Sequence, residues 1–480
     1  MKTLTATLAD GSTVEYLPEI IGEGAMKQVY FTADKSSVIC FYKDQNAGSD
    51  PNRMIRLEAI LGKYNPTITN ETGDYFKALF CWPTGIVVKP HLGVMTPAYP
   101  QDYFFKTGFS AGKEKESAWF VRAKPRNLLP EAERGDWINY YIICIFLARA
   151  VRRLHSAGLA HSDLSNKNVL IDPTTGKCNI IDIDSLVVPQ LFPPDVLGTR
   201  GYIAPEVLAT RHLPLDDPNR QHPSARTDQH ALAVLIYQYL LFRHPLEGPK
   251  VNSAKSAEED DLLSMGAKAL FIEHPNDHSN RPKDLRIPYT TLGPHLSKLF
   301  HKAFVEGLHS PNKRPAAIEW EKGLIQTRDL LLPCQNFYCP SHWFILHDTQ
   351  TIRCPFCGAK PKGSIPIFNL FSEHRPGQWM PDGRLVVYHE LSLYKWHTFN
   401  NVFPGEGVDK TPKAYCVFHE GKWLLINQNL TSLTSPNGNR VATSPRPEQP
   451  GQAIELKDGV EFRFSQEPHG RKVEVKIINL

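Results

Sequence analysis

One stretch constrains this chain more than any other: His161-Ser-Asp163-Leu-Ser-Asn-Lys-Asn168, followed at once by the apolar run Val169-Leu-Ile171 and then by Cys178-Asn-Ile-Ile-Asp182-Ile-Asp184. Asp172-Pro-Thr-Thr-Gly176 is turn chemistry. The pattern therefore predicts a loop carrying Asp163 and Asn168, a short strand, a tight turn, and a second short strand that delivers Asp182. Three oxygen-bearing side chains converge in such an arrangement. That is the ligand chemistry of a hard cation such as magnesium, which keeps waters and is shared with substrate phosphates, and it leaves one carboxylate over as a base.

At 480 residues, with 41% hydrophobic and 22% charged content, the chain has room for two or three domains, each with a core of its own. A formal charge of +4 on this length gives no electrostatic case for nucleic acid or an anionic membrane as the main partner. No signal peptide is apparent. The longest apolar stretch, Ile138 to Ala150, is too short to span a bilayer and is broken by Asn139 and Arg149, so a cytoplasmic protein is expected. Of nine cysteines, Cys40, Cys81, Cys144, Cys178 and Cys416 are scattered in apolar segments and read as inert core thiols. Cys334, Cys339, Cys354 and Cys357 cluster and read as metal ligands.

Upstream, alternation over Thr13 to Leu17, Val29 to Phe31 and Val38 to Tyr42 predicts short antiparallel strands. The turn between the first two holds Gly22-Glu-Gly24-Ala-Met-Lys27-Gln-Val29. Paired glycines on a hairpin are by themselves turn chemistry, yet they also let backbone N–H groups come close to phosphate oxygens. Lys43 ends the next strand, and Glu58 follows on a segment, Arg53 to Leu61, with helical spacing of Met54, Leu57 and Leu61. Strands are expected at Gly85 to Lys89 and Gly93 to Thr96. Trp137 to Ser156 carries apolar side chains nearly all round and predicts a buried helix ended by Gly158. A second buried helix is expected to start with Asp228 at its N-terminus.

In this order the features resemble the protein kinase superfamily. H-x-D-x-x-x-x-N and the later Asp match its catalytic loop and metal motif, the glycine turn is similar to G-x-G-x-x-G-x-V, and Gly198-Thr-Arg-Gly-Tyr-Ile-Ala204-Pro-Glu206 is similar to its G-T-x-x-Y-x-A-P-E segment. Asp228 matches the Asp that braces the catalytic loop in that family, and Arg314, in Ser310-Pro-Asn-Lys-Arg314-Pro315, matches the family's partner for that glutamate. The resemblance implies an α+β bilobal fold over residues 1–330, with an N-lobe to about residue 97 and a C-lobe from 98. It implies ATP with magnesium or manganese, and protein Ser/Thr hydroxyls as acceptors. Asp163 would be the base, Asn168 and Asp182 the metal ligands, and Lys43 held by Glu58 the phosphate-positioning pair. Gly22, Gly24, Lys27 and Val29 would cover the phosphates, and Met95-Thr-Pro-Ala98 would be the hinge that meets adenine.

Four positions depart from the family pattern. Lys27 stands in place of the third glycine, giving a stiffer loop or one that adds a cationic contact to phosphate. Ser162 replaces an Arg that usually receives a phosphorylated activation loop, and Ser165 replaces a Lys, as in some RIO-like kinases. Asp184 replaces the glycine of D-F-G and removes that residue's backbone freedom. The competing reading is a nucleotide-binding pseudokinase scaffold that presents its tail to partners.

The four clustered cysteines form two short-spaced pairs, the second C-x-x-C-G, which closes a tetrahedral, structural zinc site within a zinc ribbon over residues 331–362. His342 is a further ligand candidate, although four cysteines suffice. From 363 to 480, turn-bounded short strands at Leu385–Tyr388, Ala414–Phe418, Lys422–Ile426, Ala453–Leu456, Val460–Phe464 and Val473–Ile478 predict a β-sandwich. Trp423-Leu-Leu-Ile-Asn-Gln-Asn-Leu, Asn437-Gly438 and Pro450-Gly451 onward resemble the late strands of forkhead-associated (FHA) domains, with Lys395-Trp396-His397 near the place of their phosphopeptide-binding residues. As a whole the chain looks like bacterial stress-response kinases that accompany TerY-type von Willebrand and metal-dependent phosphatase proteins, which implies those two as partners beside protein substrates.

Overall fold

The computed structural model describes residues 2–24, 26–43, 51–191, 198–443 and 452–480. Ala25 of the glycine turn and Pro450-Gly451 of the tail motif lie outside the described residues. The chain gathers into two compact units, residues 1–289 with 298–321, and residues 290–297 with 322–480.

In the first unit six strands close an antiparallel barrel: β1 (Leu4–Leu8), β2 (Thr13–Glu23), β3 (Lys27–Thr32), β4 (Ser37–Tyr42), β5 (Gly85–Lys89) and β6 (Gly93–Pro97), in the order β1-β2-β3-β4-β6-β5. Sequence periodicity predicts all of these except β1, which pairs with both β2 and β5 and so leaves the sheet without a free edge. Strand alternation sorts β4 into two faces. Ile39 and Phe41 enter the barrel core with Ala6, Tyr16 and Val87. Cys40 and Tyr42 lie on the other face, with Ile86, Val94 and Leu57 of the helix Pro51–Leu61.

Below the barrel, the helix Trp137–Ser156 is buried on most of its circumference, as its composition predicts. The Trp137 indole N–H donates to the Leu240 carbonyl at 3.1 Å, tying it to the helix Ala225–Leu241. Gly158, at φ +77°, lets the chain leave the first helix. The second helix is not capped by Asp228. Ser224 caps it, accepting from the Arg226 N–H while Thr227 Oγ1 accepts from the Ser224 N–H. Asp228 lies one position further in and turns toward the 161–168 loop.

Beyond that loop, β7 (Val169–Asp172) and β8 (Lys177–Ile180) form the expected hairpin. A strap formed by residues 103–118 lies against it: the Ile171 N–H donates to the Lys115 carbonyl and the Ala118 N–H to the Asn166 carbonyl, both at 3.0 Å. Lys115 itself is buried, its Nζ 3.1 Å from Glu133 and 3.3 Å from Asp172, so a compensated charge anchors the strap. Arg314, also buried, grips Glu206 with two 2.7 Å hydrogen bonds and donates to the Gly307, Leu308 and Arg226 carbonyls. Arg314→Leu leaves Glu206 without its partner. Because that carboxylate keeps 20% of its side-chain surface in water, the expected loss is about 3 kcal/mol, the low end for a broken buried pair. A urea midpoint lowered accordingly at unchanged slope checks it.

The first strands of the second unit are β9 (Leu331–Pro333) and β10 (Trp343–Ile345), paired with each other. Two four-stranded antiparallel sheets follow. One has the order β12 (Gln378–Val386), β11 (Ser364–Arg375), β18 (Lys472–Asn479), β17 (Glu461–Arg463). The other has β13 (Leu391–Leu393), β14 (Ala414–His419), β15 (Lys422–Asn427), β16 (Ala453–Glu455). Phe368, Leu385 and Val475 from one sheet and Leu393, Cys416 and Leu425 from the other join a single core. The expected boundary near residue 330 moves to 321/322, and residues 331–362 and 363–480 fall in one unit rather than two. The physical reason is local: the small cysteine module buries Phe344, Ile345 and Leu346 and sets the Trp343 ring edge-on against Tyr388 at 5.3 Å, so it shares its packing with the sheets.

Candidate active site

The 161–168 loop is held from three sides. The His161 N–H and the His155 ring both reach Asp228 Oδ2, at 2.8 and 3.0 Å, while His161 Nε2 meets the Ile181 carbonyl at 2.9 Å. Ser165 is fully buried and turns the loop, its Oγ accepting from the Lys167 N–H. Asp163 receives donors at both oxygens: the Thr199 N–H at 2.8 Å on Oδ1, and Thr199 Oγ1 at 3.0 Å and Asn168 Nδ2 at 3.2 Å on Oδ2. Asn168 Nδ2 also donates to the Asp163 carbonyl at 2.7 Å. Both amide protons of Asn168 thus point at residue 163, which leaves its oxygen as the free acceptor. Thr199 was not among the site residues expected from sequence, although its Gly-Thr context marks it.

Asp182 follows β8 and carries the left-handed backbone of this segment, φ +63°. Asp184 does not take positive φ, so the glycine absent from this position is not needed there and a carboxylate can occupy it. Lys27 on β3 reaches both acids, its Nζ 2.6 Å from Asp182 Oδ1 and 2.8 and 2.9 Å from the two oxygens of Asp184. Tyr42 Oη donates to Asp184 Oδ2 at 2.6 Å. Burial by itself raises the Asp182 carboxyl, yet the Lys27 ammonium and its hydrogen bond outweigh that and hold it below the usual carboxylate range. Ser185 Oγ adds a weaker contact to Asp182 Oδ2 at 3.3 Å and receives the Ser162 hydroxyl.

The Lys43 to Glu58 pair expected from sequence is not formed. Lys43 lies past the end of β4 and places its Nζ 2.6 Å from Glu23. Glu58 is exposed on its helix, which turns Arg56, Leu57 and Ile60 inward. The reason is parity: on β4 the face toward that helix belongs to even positions, Cys40 and Tyr42, and Lys43 follows the opposite register. Burial pushes the Cys40 thiol up to about 12, so it stands there as an inert neutral group.

Gly22 pairs with Val29 across β2 and β3, and the Gly24 N–H closes the turn on the Lys27 carbonyl at 2.9 Å. Neither glycine takes positive φ, and a side chain at Gly24 would meet no atom within 4 Å, so bare backbone faces open space there. At the expected hinge, Met95 is paired within the sheet and its carbonyl accepts from the Thr84 N–H, while the Ala98 N–H is spent on the Ser36 carbonyl at 3.0 Å. These two groups are therefore not left for a base edge. At the following residue, burial, then Cys81, Cys40 and Asp182, push the Tyr99 phenol well above the ordinary range.

In the second unit, the sulfurs of Cys334, Cys339, Cys354 and Cys357 lie within 4.8 Å of one another, and all four cysteines are free. The Cys334–Cys357 and Cys339–Cys354 sulfur separations are 3.6 and 3.7 Å. A zinc ion with four bonds of about 2.3 Å sets its ligand sulfurs about 3.8 Å apart, whereas a disulfide needs about 2.0 Å. His342 is exposed and outside this group. Of Lys395-Trp396-His397, only Lys395 is exposed. His397 is buried, its Nε2 2.9 Å from the Trp396 indole nitrogen and its Nδ1 3.0 Å from the Tyr394 amide nitrogen, with Asp329 3.5 Å away.

Residues 133–319 match the model of the protein kinase domain, and the fold that carries this site is protein kinase-like. Among curated relatives, the serine/threonine-protein kinase PknD of Chlamydia felis (strain Fe/C-56) is 26% identical over 385 residues, covering 71% of this chain and 35% of its own. The serine/threonine-protein kinase PSK1 of Saccharomyces cerevisiae is 33% identical over 119 residues, 23% of this chain and 8% of its own. The chain thus spans 35% or less of the length of these relatives. Among solved structures, the kinase domain of a Toxoplasma gondii specific rhoptry antigen matches 67% of this chain and 85% of its own, with a TM-score of 0.39 and 13% identity.

Proposed function

We propose that this chain is a protein serine/threonine kinase that transfers the γ-phosphate of ATP to protein hydroxyls. The observation that carries the reading is the dressing of Asp163: a carboxylate held by the Thr199 backbone and hydroxyl and by Asn168, on the loop that leads into a hairpin whose second strand is followed by Asp182. Asp163 takes the proton of the acceptor hydroxyl as its oxygen bonds to the γ-phosphorus and the bond to the β,γ-bridging oxygen breaks. The free amide oxygen of Asn168 and the Asp182 carboxylate are hard acceptors of the kind magnesium or manganese takes, and they would hold that cation. Bound there, it neutralises phosphate charge. One lysine against two acids leaves the Lys27, Asp182 and Asp184 group net negative, which fits a cation.

The four-sulfur cluster supports a structural zinc, since four thiolates fill a tetrahedral shell with no open position. Two sheets around one core support a β-sandwich of FHA-like fold for the tail. With His397 buried, we read the tail as a docking module for partner proteins rather than a phosphopeptide reader. A cognate phosphatase and a von Willebrand-type protein are the partners proposed from the sequence resemblance, in a cytoplasmic bacterial signalling setting. Among the described residues no helix is long and apolar enough to cross a membrane.

Purified chain incubated with γ-labelled ATP, magnesium or manganese and a generic protein substrate tests the assignment. Label is expected on serine or threonine after acid hydrolysis. Nucleotide binding with no transfer under any metal would replace the enzyme by a nucleotide-sensing scaffold.

A further inference from the structure

In this fold the lysine that orients the nucleotide phosphates is expected on β4, anchored by a carboxylate from the following helix. Neither member is in place. Cys40 and Tyr42 occupy the cleft face of β4, Lys43 is turned to Glu23, and Glu58 is exposed. Directly across the ladder from Tyr42, on β3, stands Lys27. Its ammonium lies 5.9 Å from the Tyr42 ring centroid and within 2.9 Å of Asp182 and Asp184.

The two carboxylates are not equivalent. Asp184 is buried, and both of its oxygens accept from Lys27, one of them also from Tyr42. Asp182 contributes one oxygen to Lys27, and among the described residues its other has a single 3.3 Å contact, to Ser185. Asp184 is therefore the fixed anchor, and the contact to Asp182 is the one a phosphate oxygen can replace.

Resting on the kinase reading above, we infer that Lys27 is the lysine that meets the nucleotide phosphates in this chain, and that Asp184, backed by Tyr42, is the carboxylate that positions it. The pair has moved from one strand and a helix to the neighbouring strand and the segment after β8. Lys27 acts on the nucleotide; Asp184 and Tyr42 act through Lys27. The substitution of glycine by aspartate at position 184 and of glycine by lysine at position 27 are then two halves of one change.

The test uses the full chain with Lys27→Met, Lys43→Met, Asp184→Asn, Tyr42→Phe and the double variant Lys27→Met/Asp184→Asn, each checked for an unchanged thermal transition. Lys27→Met is expected to lower kcat/KM for ATP roughly a hundredfold, as loss of one charge-stabilising donor does, and to fall well below Lys43→Met. Asp184→Asn is expected to cost roughly tenfold, as misplacing a positioned group does, with a smaller loss in Tyr42→Phe. The double variant should be no worse than Lys27→Met, because Asp184 has nothing left to position; a merely structural role would instead add its full cost. Should Asp184→Asn fail to fold, Tyr42→Phe, which removes one hydroxyl and no charge, carries the same comparison with Lys27→Met.

Lys43→Met losing more than Lys27→Met would overturn the inference. So would an Asp184→Asn effect that shows only as a raised magnesium requirement and persists in the Lys27→Met background, since that would make Asp184 a metal ligand. If the wild-type chain transfers no phosphate, the kinase reading fails on its own, and titration of ATP with magnesium decides the lysine: weaker binding in Lys27→Met than in Lys43→Met upholds it, and equal binding rejects it.

Discussion

Asp163→Ala is expected to lower phosphoryl transfer by roughly a hundred- to ten-thousand-fold, the range that loss of a positioned general base produces, while magnesium-dependent nucleotide binding is nearly kept. The carboxylate also fastens the segment that starts at Gly198 through Thr199, so the alanine variant removes the base and that fastening at once. Asp163→Asn separates the two effects. Its amide oxygen still accepts from Thr199, but the group cannot take up the hydroxyl proton. Both variants falling together, with near-normal affinity for ADP and magnesium, assigns the loss to the base. A wild-type rate in Asp163→Asn would remove the base from the mechanism and leave Asp163 as a fastening for the segment.

The second large effect is on folding. A zinc ion held by the four free thiols, as proposed above, would be part of the folding energy of residues 331–362, on the order of 10 kcal/mol in comparable zinc peptides. Purified chain is expected to carry one zinc, and Cys354→Ser combined with Cys357→Ser should abolish it and expose this segment to protease. The damage should extend to the sheets near Tyr388, because Trp343 packs on that ring and Leu346 hydrogen-bonds back to Leu330 at 2.8 Å. Nucleotide binding should survive, because the residues proposed for it, Lys27, Asn168 and Asp182, lie in the other unit. Elemental analysis without zinc, or disulfides among these cysteines in freshly isolated chain, would falsify the assignment. Loss of nucleotide binding in the double variant would show the two units to be energetically one.

Much of the candidate site was legible as spacing. The eight residues from His161 to Asn168, a hairpin whose turn is Asp172 to Gly176, and Asp182 after it define their geometry locally, since a strand, a tight turn and a strand leave little choice about where their ends meet. The helix Trp137–Ser156 is likewise decided by its own apolar coverage. The bidentate grip of Arg314 on Glu206 spans more than a hundred positions, and it was foreseeable only because the two motifs resemble a known pair.

Other features depended on which face a residue takes and on what lies across from it. A lysine at the end of a strand and a glutamate on the next helix form a plausible pair in a linear reading. A one-residue difference in strand parity sends Lys43 to Glu23 and gives the cleft to Tyr42, and only the β3 to β4 ladder then shows Lys27 opposite it. Asp228 was expected at the helix N-terminus, a place that Ser224 takes, while its bracing of a loop sixty-seven positions away was foreseeable only from the family resemblance. By itself, then, the sequence determined the chemical groups, the hairpin that groups them and the buried helices beneath, all of which are short-range consequences of backbone geometry and apolar periodicity. Tertiary structure alone decided which lysine faces the two acids, since that depends on register between strands and on the side of the sheet each residue faces, and neither is encoded in the spacing of the residues concerned.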